Sequence, residues 1–162
     1  MEPHKILTVD PEQGEKLPIA GGEYRILISG KQTGGAYAVI EISVPPGGGP
    51  NPHSHPHIHE SFYVLKGEIT FKSELGSYVA TEKSFVNIPK GGMIHAFKNL
   101  SDKRAKLLCT VIPAGLDDFF HEVSAFVNGA NDTTLSVAEI KRNLSLIAEK
   151  YGQQLYSENF LG

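Results

Sequence analysis

The chain has 162 residues, 40% hydrophobic and 20% charged, an ordinary composition for one globular domain with a buried core. A net charge of −3 gives no electrostatic ground for a nucleic-acid or anionic-membrane partner, and no apolar run approaches the roughly 18 residues of a membrane-spanning helix. Met1-Glu2-Pro3-His4-Lys5 lacks the basic and apolar segments of a secretory signal, and one cysteine, Cys109, cannot form an internal disulfide; both features lead us to expect a cytoplasmic protein.

In chain order, residues 1–22 read as an N-terminal extension. Residues 23–30 (EYRILISG) and 36–44 (AYAVIEISV) are rich in β-branched and aromatic side chains and predict strands. The run Pro45-Pro46-Gly47-Gly48-Gly49-Pro50-Asn51-Pro52 can be neither helix nor strand interior. Residues 60–65 and 68–71, separated by Lys66-Gly67, predict a hairpin turning at the glycine. Residues 84–88, 95–99 and 104–112 complete a series of short, regularly spaced strands, the rhythm of a sandwich or barrel. If Glu60 faces inward, so do Phe62 and Val64, while Tyr63 and Leu65 face outward and need cover. N-terminal strands, the C-terminal helices or a second subunit could supply it.

The pattern changes after Pro113-Ala114-Gly115. Asp117 can cap a helix whose Phe119, Phe120, Val123, Phe126 and Val127 recur at helical spacing. Ser136-Val137-Ala138-Glu139 is a capping box, Val137, Ile140, Leu144, Ile147 and Tyr151 form one stripe, and Gly152 ends the second helix. Apolar stripes of this kind mostly serve packing, so both helices (residues 114–162) are expected to lie against a barrel formed by residues 23–113, with a substrate lid as the alternative.

Four of the seven histidines crowd into His53-Ser54-His55-Pro56-His57-Ile58-His59-Glu60. His53 and His55, two apart on extended chain, point to the same face. Glu60 opens the next strand and can add an oxygen, and His95 follows the Gly91-Gly92 turn with enough chain before it to return across a barrel. Three imidazoles and one carboxylate suit one divalent transition metal, Fe, Ni, Mn, Co, Cu or Zn, and the absence of sulfur ligands argues against a closed structural zinc site. Pro56 breaks the strand before His57, so His57 and His59 are read as loop histidines, His121 as a helix-surface residue, Cys109 as a small buried apolar residue and Asn99 as structural.

Gly47-x5-His53-x-His55-x4-Glu60-x6-Gly67 resembles the first signature motif of the cupins, and Pro89-x-Gly91-x3-His95-x3-Asn99 resembles the second. The resemblance spans residues 23–112. It departs from the family pattern at Lys83, where a glycine is usual, and at Gly92-Met93-Ile94, three residues where two are usual. It implies a mainly β, single-domain cupin-type β-barrel (jelly roll) carrying two C-terminal α-helices, with His53, His55, Glu60 and His95 as metal ligands, and a homodimer. Within the family, residues 45–68 and the Phe-rich helix after Pro113-Ala114-Gly115 resemble quercetin-dioxygenase-like proteins. That implies a metal-dependent dioxygenase for a small aromatic or enolisable substrate, with Glu60 as ligand and catalytic proton acceptor. Phe62, Met93, Phe97 and Phe119 are the candidates for an apolar pocket wall. A non-catalytic ligand- or metal-binding module, and a metal-dependent isomerase or hydrolase, are the alternatives, since no second catalytic base is evident.

Overall fold

Alternating side chains bury one face of each strand, and the computed structural model, which describes residues 4–130 and 134–162, stacks two such sheets. The first sheet has the order β1 (Glu15–Ile19), β2 (Gly22–Ile28), β3 (Ala38–Val44), β10 (Ala105–Ile112), β5 (His59–Lys66) and β8 (Phe85–Ile88). The second has β11 (Gln154–Leu155), β4 (His53–Ser54), β9 (His95–Lys98), β6 (Glu68–Ser73) and β7 (Gly76–Thr81). The paired strands run antiparallel. This is a jelly-roll arrangement. Helices α1 (Leu116–Ala130) and α2 (Val137–Lys150) follow β10.

The core lies between the sheets. Ile40, Ile42, Val64, Leu107 and Val111 come from the central strands of the first sheet, Ile69 and Phe71 from the second. The alternation on β5 is as expected: Glu60, Phe62 and Val64 are buried, Tyr63 and Leu65 exposed. Phe62, Phe71 and Phe97 form a ring cluster with centroids 5.3 to 5.6 Å apart.

The expected hairpin at Gly67 is not one. β5 pairs with β10 and β8, whereas β6 pairs with β7 and β9 in the other sheet. Gly67 (φ +76°) therefore turns the chain from sheet to sheet, and a Cβ there would lie 3.1 Å from the Ala105 Cβ. Two alternating runs around a glycine look the same in sequence whether they pair or cross. Three edge strands, β1, β7 and β11, also lay outside the expected elements. β1 contains Pro18, which an edge position tolerates because the missing N–H faces no partner.

Asp117 sits inside the first turn of α1 and does not cap it. Its carboxylate accepts the N–H of Gly30 at 2.8 Å and of Gly115 at 3.0 Å, tying the helix start to the end of β2. The capping box of α2 is present, with Glu139 N–H donating to Ser136 Oγ and Ser136 N–H to Glu139 Oε2. α1 packs on β1, where Ser124 and Asn128 donate to the Pro18 carbonyl. Glu122 of α1 accepts from Lys150 and Tyr151 at the end of α2 and joins the two helices.

Candidate metal centre

His53, His55, Glu60 and His95 converge from both sheets. All four are buried, and one ligand atom from each lies within 4.8 Å of the others. β4 places His53 directly opposite His95 of β9, and the ring centroids are 4.4 Å apart. His55 follows β4 and begins a turn in which Ile58 N–H donates to the His55 carbonyl, with Pro56 at the second position that such turns favour. That turn reverses the chain into β5, which carries Glu60 in from the facing sheet.

The backbone decides which nitrogen of each ring faces the centre. Nδ1 of His53 lies 2.9 Å from the Asn51 carbonyl and Nδ1 of His95 lies 2.9 Å from the Met93 carbonyl. A carbonyl only accepts, so each Nδ1 carries the proton and each Nε2 presents a lone pair inward. His55 makes the same contact to the Ile58 carbonyl more weakly, at 3.4 Å. Glu60 Oε2 is 2.8 Å from His55 Nε2 and 3.5 Å from His95 Nε2, and its other oxygen accepts from the Cys109 thiol at 3.4 Å.

Burial works on His53, His55, Glu60 and Cys109. It lowers the pKa of His53 to about 4, with His95 as a second depressing influence. On His55 burial is outweighed by the hydrogen bond and charge of Glu60, and the pKa rises. Burial would raise Glu60, but the hydrogen bond from His55 and the nearby imidazoles hold its carboxyl below the usual carboxylate range. The Cys109 thiol is pushed well up by burial and by Glu60, so it stays protonated and serves as a donor.

This donor set fits a divalent ion. His95 Nε2 is buried without a hydrogen-bond partner, and three aromatic nitrogens plus an ionised carboxylate suit a borderline transition metal. A cavity of about 250 Å³ opens beside the cluster, lined by His53 and Glu60 together with Tyr24, Ile42, Phe97, Leu116, Phe119 and Phe120 among others. The lining is mostly apolar, and among the described residues no lysine or arginine belongs to it.

The residues read from sequence divide clearly. His53, His55, Glu60 and His95 come together, and Phe97 and Phe119 stand on the cavity wall. Phe62 lies in the core beneath, and Met93 contributes its carbonyl to His95 and does not line the cavity. His57 is exposed and His59 bonds to Asn87, away from the cluster. Asn99 is structural: its amide donates to the Val44 and Lys103 carbonyls while its oxygen accepts from Ser101. The three-residue spacer before His95 is absorbed by Gly91 (φ +123°) and Gly92 (φ +81°). Lys83, standing for the usual glycine, takes the left-handed conformation itself at φ +69°.

Tyr24 and Gln153 went unread, and Cys109, expected as a small buried residue and found buried, was not expected to meet Glu60. The inward parity of Cys109 on β10 was available as a signal, because it shares a face with Val111, which lies opposite Glu60. No local signal marks Tyr24, whose ring packs on Phe120 with centroids 4.5 Å apart, or Gln153, beyond the end of α2.

Fold and ligand set together define a β-barrel with an internal site suited to a divalent metal. A family profile described as "Cupin domain" matches residues 40–111. Residues 40–111 thus resemble a cupin domain. It is 24% identical over 113 residues to quercetin 2,3-dioxygenase of Bacillus subtilis (strain 168), an alignment covering 70% of this chain and 33% of that protein. The chain thus spans about a third of the curated relative it matches. Among solved structures it resembles a sugar phosphate isomerase from a cupin superfamily of Silicibacter pomeroyi, with TM-score 0.59 at 20% identity over 67% of this chain and 77% of that one. It also resembles the polyketide cyclase RemF of Streptomyces resistomycificus, with TM-score 0.59 at 18% identity over 67% and 80%.

Proposed function

We propose that this protein is a metal-dependent dioxygenase acting on a small aromatic or enolisable molecule. The observation that carries the reading is the placement of four buried ligand side chains at the edge of a mostly apolar cavity. In this reading His53, His55, Glu60 and His95 would hold one divalent ion, which would supply Lewis acidity toward an enol or phenol oxygen. The protein does the rest. Phe97, Phe119 and Phe120 exclude water and face the ring of the substrate. Glu60, held ionised and braced by Cys109, accepts the substrate hydroxyl proton.

The distant likeness to a quercetin dioxygenase supports this chemistry. Absence of lysine and arginine from the described cavity lining speaks against a phosphorylated substrate, and so against a sugar-phosphate isomerase. An outer face bearing exposed Tyr63, Leu65 and Phe85 supports a homodimer.

Two measurements test the proposal. Elemental analysis of tag-free protein should find metal in the wild type and little in His55→Ala, with affinity down at least about a hundredfold; equal stoichiometry in both would refute the four-ligand site. An oxygen electrode should register consumption when protein loaded with iron, nickel, manganese, cobalt or copper meets quercetin or 3-hydroxyflavone. No turnover with any metal across a broad flavonol and enol panel would shift the function to a binding module.

A further inference from the structure

One buried side-chain nitrogen of the cavity lining has no hydrogen-bond partner among the described residues. Gln153 is 5% exposed and lines the cavity that His53 and Glu60 share, yet its Nε2 is buried without a hydrogen bond among the described residues. Buried amides in folded proteins are almost always paired, and an exception invites an explanation. His95 Nε2, the other buried nitrogen in this condition, is accounted for by its place in the ligand cluster. Gln153 has no such account.

Its position is built by the fold. After α2, Gly152 (φ +74°) turns the chain, and Gln153 N–H donates to the Ala148 carbonyl at 2.9 Å. The chain then pairs with β4 through Gln154 opposite Ser54 and Leu155 opposite His53. Carried one residue further, that register sets Gln153 opposite His55. Alternation gives Gln153 and Leu155 the face that His53 and His55 use, and Leu155 also lines the cavity. The C-terminal segment thus delivers one carboxamide to the wall beside the metal ligands.

We propose that Gln153 is a ligand-recognition residue, its carboxamide N–H donating a hydrogen bond to an oxygen of the molecule in the cavity. The inference rests on the small-molecule reading above and narrows it. The ligand is a mostly apolar ring compound with two oxygens, one directed to the metal ligands and one accepting from Gln153. The second oxygen is a neutral carbonyl or hydroxyl, because among the described residues no cationic side chain lines the cavity to neutralise a carboxylate or phosphate.

The test compares wild type with Gln153→Leu, which keeps the approximate volume and removes the donor. Cobalt(II)-loaded protein is titrated with 3-hydroxyflavone and with 2-phenylnaphthalene, an oxygen-free probe of similar outline, followed by the cobalt visible spectrum and ligand fluorescence. Cobalt content and the Tm of ligand-free protein are measured alongside. The proposal expects unchanged cobalt content, an equal or higher Tm, a roughly tenfold loss of 3-hydroxyflavone affinity and no loss for 2-phenylnaphthalene. If wild type and variant bind 3-hydroxyflavone equally, or if Gln153→Leu loses several degrees of Tm, the amide serves something else and the proposal is overturned. If wild type binds neither probe, the small-molecule reading fails first and takes this inference with it.

Discussion

The carboxylate and the imidazoles of the cluster are held by two different kinds of structure. Glu60 stands on β5, eight residues long and paired on both sides by β10 and β8. His53 stands on the two-residue β4, and His95 opens the four-residue β9. A long, doubly paired strand aims its side chains by parity alone, since a one-residue slip would expose every core residue it carries. Short strands cannot do this. Their histidines are aimed one at a time, by carbonyls of Asn51, Met93 and Ile58 that grip each Nδ1. The lesson is that precision at one centre comes from packing on one side and from local hydrogen bonds on the other.

The contrast can be broken first on the packed side. Phe62 is 1% exposed and two residues from Glu60 on the same inner face. Phe62→Ala should cost about 3–5 kcal/mol of stability in urea unfolding. Metal stoichiometry in the surviving folded protein should hold, because no ligand is removed; a loss of metal in fully folded variant would show that β5 cannot aim Glu60 without this ring.

On the imidazole side the handle is pH. The folded pKa of His53, about 4, lies below its ordinary 6.5. Between those values the folded state binds fewer protons than the unfolded, so metal-free stability should fall as pH drops from 6.5 toward 4. His55, raised by Glu60, gives a stabilisation that is complete below 6.5 and is lost only as pH rises through its folded pKa. Glu60, lowered, gives one that is complete above 4.5 and is lost on further acidification through its folded pKa. Neither of these two changes sign or size appreciably inside the window. Urea midpoints of metal-free protein at pH 6.5 and pH 5 should therefore differ, and His53→Gln should flatten the difference. An identical acid loss in that variant would assign the effect to other groups.

The smallest effect concerns the turn before β8, where Lys83 N–H donates to the Val64 carbonyl of β5. A lysine at φ +69° is disfavoured and glycine is not. Lys83→Gly should stabilise the protein by up to about 1 kcal/mol, with metal content unchanged, because the strained residue is exposed and far from the ligands in function. A destabilised variant would mean that the lysine side chain contributes more than its backbone costs.

Much of the molecule was legible in its residues. Ligand type and spacing, the inward parity of Glu60, Phe62 and Val64, the capping box at Ser136 and the glycine stop at Gly152 are local, and local patterns survive translation into structure. Alternation recurs every two residues and capping every three, so a short window contains the whole signal. Other features joined residues far apart. Whether the runs around Gly67 pair or part was decided by β10 and β9, which take the neighbouring places on β5 and β6. β11, two residues long, has no periodicity to read, yet its pairing with β4 brings Gln153 beside the histidines across about a hundred residues of chain. Cys109 meets Glu60, and Phe119 meets the cavity, for the same reason. By itself the sequence determined which atoms could bind a metal and which faces turn inward. Only the tertiary structure decided what surrounds them, because a contact between distant segments is selected by competition among all the faces that need burial, and no single segment records that choice.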